Sequence, residues 1–196
     1  VKTLKAAVVD RREAMQLLMG YNSFNGYVWN KLFDLQLIRE HDIRFHADYP
    51  ACEDTMFVGS YLYHCSRVCV TEECLYCYRQ VSGGANRGRY SGRKAYDPKW
   101  MSVFEMTEYM ADLYKDDAVT AACRLHEVRE AGIVLRSMEA AGYHGADHAR
   151  LKGILRRGAG LFFRDENSGR SQKLSVLLSC ISPKLELAVW KLRNRK

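Results

Sequence analysis

Apolar residues recur at three- and four-residue intervals through most of the chain, and where the rhythm breaks the sequence turns to glycine, asparagine and serine. Over 53–66, Met56, Phe57, Ser60, Tyr61 and His64 fall on one stripe. Val58, Leu62 and Cys65 widen it, so the spacing predicts a helix buried on most sides. Upstream, "DRREAMQLLMG" predicts a short helix with Asp10 as N-cap and Gly20 closing it. "YNSFNG" is turn chemistry, and the aromatic, β-branched "YVWNKLF" after it predicts extended chain. "DLQLIREHD" suits two or three helical turns, "IRF" a brief extended piece, and "HADYP" a loop. "RVCVTEECLYCYRQ" predicts two short strands, or one bent strand broken near Glu72 and Glu73.

"VSGGANRGRYSGRKAYDP" carries four glycines and four Arg or Lys, the composition of a basic loop. Beyond Pro98 the character changes to long helical patterns over 99–115, 117–141, 146–163 and 173–193. "AAGYHG" and "RDENSGRS" separate the later ones, and Pro183 is placed to kink or restart the last. These patterns predict an α+β, predominantly helical protein: a small mixed β-sheet with helices over 1–97, then a helical region over 98–196.

A chain of 196 residues that is 47% hydrophobic can bury a sizeable core without disulfides or metal. The formal charge of +7 favours anionic partners, or solubility alone. It is uneven: 87–94 and 191–196 are basic, 105–117 acidic. Seven irregularly spaced cysteines with no secretory signal ahead of them read as reduced thiols in a cytoplasmic protein. Cys65, Cys69, Cys74 and Cys77 include a CxxC, but that pair sits in a β-like run where a zinc knuckle wants a turn. His144 and His148 form an HxxxH, but Gly145 argues against a helix carrying both, so no metal is expected there. No apolar run approaches the roughly 18 residues of a membrane-spanning helix.

The stretch over 27–80 carries more. It reads "GYVWNKLFDLQLIREHDIRF", a loop, "EDTMFVGSYLYHCSRVCV", then "ECLYCYRQ". A Trp-Asn-Lys-Leu block, an "R-F" shortly before a loop, a Glu-Asp pair opening a helix, and a Tyr-x-Tyr-Arg strand end leading into a Gly- and Ser-containing loop follow in order. This succession resembles the C-terminal half of the catalytic domain of family 2 glycosyltransferases, enzymes of the GT-A fold common in bacterial capsule and exopolysaccharide assembly. The resemblance covers about a quarter of the chain well and the helical remainder loosely.

The resemblance implies an inverting transfer of a sugar from a nucleotide-sugar to a hydroxyl of a glycan or lipid-linked acceptor. It gives Asp54 the role of catalytic base and Glu53 a supporting one. It places Trp29 against a sugar ring, Asn30 and Lys31 on hydroxyls or a carboxylate, and Arg79 on the diphosphate or an anionic acceptor. Residue chemistry alone leaves alternatives open: first-turn acids are commonplace, and Trp29 equally suits a core. The basic loop with Arg87, Arg89, Arg93 and Lys94 reads either as a lid or as solvated chain.

The family also implies a divalent metal, Mg or Mn, held on the diphosphate by an Asp-x-Asp motif in an N-terminal α/β half. No Asp-x-Asp occurs in this chain. The expectation is therefore an acceptor-side portion beginning downstream of that motif, with the metal ligands outside the chain and no transfer by the chain alone. The end, "SPKLELAVWKLRNRK", puts Leu185, Ala188, Val189 and Leu192 on one face, suited to an anionic membrane surface at the inner face of the plasma membrane or to core packing. An exposed strand edge would invite a homodimer. The alternative function is a non-catalytic basic helical module binding anionic partners. Nothing resembling a nucleic-acid-binding motif is present, so nucleic acid is not an expected partner.

Overall fold

Side-chain capping opens some of the helices and not others. In the computed structural model, which describes residues 6–20, 24–79 and 96–194, Asp10 Oδ1 accepts from the Glu13 N–H at 2.8 Å and opens α1 (Arg11–Met19). Asp34 does the same for α2 (Leu35–Glu40) through the Gln36 N–H at 2.8 Å. The other elements are β1 (Ala7–Val9), α3 (Glu53–His64), β2 (Val68–Val70), a 3₁₀ turn at Pro98–Met101, α4 (Ser102–Tyr114), α5 (Asp117–Ala141), α6 (Ala146–Arg164), α7 (Arg170–Ile181) and α8 (Pro183–Arg193). The protein is predominantly helical with a small sheet, an α+β chain. Among the described residues that sheet is two-stranded and antiparallel, pairing Ala7 with Val70, Val8 with Cys69 and Val9 with Val68.

The chain divides into two units. The first takes the described residues within Val1–Arg79 together with Met101–His126. Its core joins Ala14, Met15, Leu18 and Met19 of α1 to Met56, Val58 and Leu62 of α3, and to Val103, Met106 and Met110 of α4. Each such side chain taken fully out of water contributes roughly 1.5–3 kcal/mol. A Cβ at Gly59 of α3 would stand 2.7 Å from Met110 Sδ, so the absence of a side chain there lets α4 seat closely. The Tyr114 hydroxyl donates to the Gly59 carbonyl at 3.0 Å across the same contact. A second cluster, Ile43, Phe57 and Tyr61 with Phe33 and Ile38, binds α2 and its loops to α3.

The second unit takes the described residues within Gln80–Trp100 together with Glu127–Lys196. Here α6 packs on α7 and α7 on α8, around buried Leu135, Met138, Leu151, Leu155, Phe162 and Val176. Arg136 and Glu186 face each other at 3.4 Å, both largely buried. Ser175 donates to the same carboxylate at 2.6 Å. Burial pushes the Arg136 guanidinium down and the Glu186 carboxyl up, so desolvation outweighs their attraction.

Three local expectations change. "YVWNKLF" is a turn followed by irregular chain, not extended structure, because the Lys31 ammonium gathers the carbonyls before it, as detailed below. Only Val68–Val70 of "RVCVTEECLYCYRQ" is strand. Residues 71–79 are exposed and irregular, their alternate aromatics stacking on Trp29 rather than lining a sheet face. The helix after Asp34 is short, its end marked by Asp42 in the left-handed region at φ +46°. Pro183 restarts the last helical pattern behind the Ser182 N-cap, one of the two outcomes its position indicates. The basic loop residues Arg87, Arg89, Arg93 and Lys94 lie outside the described residues.

Candidate functional site

Lys31 organises the loop ahead of it. Its Nζ lies 3.1 Å from the Phe24 carbonyl, 2.7 Å from those of Asn25 and Tyr27, and 2.8 Å from Asn30 Oδ1. Asn30 Nδ2 donates to the Phe24 carbonyl as well, at 3.3 Å. Three ammonium hydrogens face four acceptors, so the donors of Lys31 are spent inside its own loop. Asn30 and Lys31 thus hold the loop; the resemblance implied hydroxyls or a carboxylate as their partners, and Lys31 does feel the Asp54 carboxylate. Gly26 lets that loop lie directly on α3, since a Cβ there would overlap the Thr55 side chain.

The loop so held presents the Val28 N–H to the Asp54 carboxylate in the first turn of α3. Burial first, and the adjacent Glu53 carboxylate second, hold the Asp54 carboxyl above its ordinary 3.8, against the opposing pull of the Val28 N–H and Lys31. Burial likewise pushes the Lys31 ammonium down to about 8, although Asp54 draws it the other way. Asp54 is half-buried and Glu53 exposed. A partly desolvated carboxylate is a stronger base than one in water, and it keeps an open side to receive a proton.

Beside Val28 the chain turns Trp29 into an aromatic stack. Its ring lies 5.1 Å from Tyr27, 4.6 Å from Tyr76 and 4.9 Å from Tyr78, with interplanar angles of 17°, 29° and 13°. The three tyrosines remain between 41% and 56% exposed, so Trp29 belongs to a surface and not to a core. Flat aromatic faces open to solvent suit the C–H faces of sugar rings, and tyrosine hydroxyls suit their oxygens.

The structure thus brings Asp54, Glu53, Trp29, Asn30 and Lys31 to one place. Arg79 is exposed, one residue beyond Tyr78, and stands in irregular chain where the sequence put it at a strand end. Sequence reasoning missed Tyr27, Tyr76, Tyr78 and the Val28 N–H. The alternation of Tyr76 and Tyr78 was visible, but as a strand signal. The cysteines of the CxxC region do not converge on a metal-binding arrangement among the described residues.

A cleft of about 540 Å³ opens at the other end of α3, lined by Arg11, Arg12, His64 and Asp116 among others. Ten residues of helix separate Asp54 from His64, about 15 Å. The cations of the cleft are engaged: Arg12 Nε pairs with Asp116 at 2.7 Å, and Arg11 donates to the Tyr63 carbonyl at 3.2 Å. Around Asp54 a raised, half-buried carboxyl and exposed aromatic rings lie together. Compared with known proteins, the chain matches no family model, no curated protein and no solved structure.

Proposed function

We propose that this chain is the acceptor-side portion of an inverting glycosyltransferase, with Asp54 as its base. What supports the reading is one juxtaposition: a half-buried carboxylate with a raised pKa beside half-buried Trp29 and the exposed tyrosines stacked on it. A sugar hydroxyl is too weak an acid to ionise at neutral pH, so it needs a carboxylate to take its proton as it attacks. In the proposed step the acceptor oxygen forms its bond to the anomeric carbon while the bond to the nucleoside diphosphate breaks. The hydroxyl proton passes to Asp54, and the diphosphate leaves from the opposite face of the sugar.

Glu53 raises the basicity of Asp54 through its charge, Lys31 and Asn30 hold the loop that carries Val28 and Trp29, and the aromatic stack seats the acceptor sugar. Arg79 meets the leaving diphosphate or an anionic acceptor. The divalent metal that such chemistry employs does not fit around Asp54: besides the Glu53 carboxylate its near neighbours are the Lys31 ammonium and the Val28 N–H, and among the described residues no third ligand joins the two carboxylates. In this reading metal and nucleotide are held by residues outside this chain, and the chain alone transfers no sugar. Among the described residues no helix is long and apolar enough to cross a membrane. A cytoplasmic site of action, with Leu185 and Leu192 of α8 turned to solvent and available to a membrane carrying a lipid-linked acceptor, completes the reading.

The test is to join the chain to the donor-side half that precedes it in the intact enzyme and follow nucleoside diphosphate release from a panel of nucleotide-sugars. Asp54→Asn is expected to lower turnover by about 10²–10⁴-fold with the fold retained. Turnover equal to that of the parent would end the assignment of Asp54.

A further inference from the structure

Glu139, His144 and His148 lie in the second unit, apart from the chemistry proposed above, and their ligating atoms all fall within 4.8 Å of one another. We infer that they form a zinc site that clamps the turn between α5 and α6.

The geometry follows from how that turn is made. Glu139 sits in the last turn of α5. The helix closes through the Tyr143 N–H on the Met138 carbonyl at 2.9 Å, with Gly142 left-handed at φ +69°. Three residues later Gly145 is the N-cap of α6, whose first turn carries His148. Gly145 thus does break the helix between the two histidines, as the sequence indicates. The reversal it permits is what brings both rings back over Glu139. Tyr96 steadies this corner: its hydroxyl donates to Asp147 at 2.9 Å, and its ring packs against Tyr143 at 4.8 Å between centroids.

Glu139 Oε1 receives His148 Nε2 at 2.8 Å and has His144 Nδ1 at 3.9 Å. Nitrogen and oxygen ligands about 2.0–2.2 Å from a tetrahedral zinc stand about 3.3 Å apart. The two observed separations bracket that value, so small side-chain rotations bring the three atoms into place around an ion. Binding takes His148 as the neutral ring protonated on Nδ1, so its one proton moves from Nε2 to Nδ1 by exchange with solvent and the metal takes the freed lone pair of Nε2. Two imidazoles and one carboxylate form the ligand set of zinc sites that keep an open fourth position. The Glu139 side chain is 4% exposed and that of His148 13%, whereas His144 is 50% exposed, which leaves the open position and the route of entry on the His144 side.

The test titrates zinc chloride into the full chain by calorimetry, in a background with Cys69, Cys74 and Cys77 changed to serine so that exposed thiols do not compete. The expected result is one zinc per chain with micromolar affinity or better. His144→Ala and Glu139→Gln are each expected to weaken it by at least about tenfold. His144 is half-exposed and outside any helix, so its replacement leaves the fold intact. Zinc should accordingly raise the melting temperature of the background protein and not that of the His144→Ala form. Unchanged affinity in His144→Ala, or no zinc bound at millimolar concentration, overturns the inference.

Discussion

Lys31→Met keeps most of the apolar stem of the side chain and deletes the amine, which isolates what the ammonium does. The group binds its proton less tightly in the folded chain than in the unfolded one, at about 8 against an ordinary 10.5. Burying the charge therefore costs stability in full below pH 8, and the cost is relieved as pH rises from about 8 to 10.5. Between pH 7 and 9.5 the linkage relation gives a relief of about 2 kcal/mol. Solvent screening of a side chain that is only partly buried brings this to about 1 kcal/mol. Against the cost of burial stand the bonds from Nζ to the carbonyls of Phe24, Asn25 and Tyr27, each worth roughly 1.5–3 kcal/mol when charge-assisted. The net expectation is that Lys31→Met lowers stability at pH 7 by about 1–3 kcal/mol. Urea unfolding followed by circular dichroism, in reductant, at pH 7 and pH 9.5 reads both effects. Groups that titrate in both proteins cancel in the comparison, so the gap between wild type and variant should widen by about 1 kcal/mol at the higher pH. An identical pH response in the two proteins would refute the picture of a buried ammonium bracing the loop.

Asp54→Asn should leave thermal stability at pH 7 equal to or above that of the wild type. The raised carboxyl makes folding less favourable as pH climbs from its ordinary 3.8 through its higher folded value, a cost the amide does not carry. A clear drop in melting temperature would contradict this. Gly26→Ala should lower stability by about 1–3 kcal/mol in denaturant unfolding, because its Cβ collides with Thr55 and lifts the loop from α3. Arg136→Met, which leaves the Glu186 carboxylate buried opposite an apolar chain, should cost about 3–5 kcal/mol by the same measurement. A loss under about 1 kcal/mol would show that Ser175 alone satisfies Glu186.

What was legible in the chain follows from how far each signal reaches. The span of α5, the start of α6 and the Asp10 cap of α1 depend on residues within a turn of one another, and the pattern reading and the structure agree on all three. The loop at 24–31 depends on one amine reaching back four to seven residues and on Gly26 meeting Thr55. An aromatic, β-branched string says only that its side chains seek contact, and these found Trp29 and Lys31 rather than a neighbouring strand. Tyr76 and Tyr78 alternate as a strand would, yet their partner is Trp29, over forty residues earlier. The candidate base and its neighbours were named from the resemblance. The Val28 N–H could not be, because every residue but proline has one. Glu139 escaped notice for a related reason: it stands in a helix nine residues before His148, and the left-handed Gly142 turn together with the helix break at Gly145 makes them neighbours.

The central claim is that Asp54 is a carboxylate made more basic by its surroundings and used as a proton acceptor. The acid limb of the pH profile of kcat/KM, measured on the chain joined to the donor-side half that the proposed function requires, reports the essential base of the free enzyme. The account predicts a limb with a midpoint above the ordinary 3.8 of an aspartate, moving higher in Lys31→Met and vanishing with the activity in Asp54→Asn. A limb that keeps its position and height when Asp54 is replaced would contradict it.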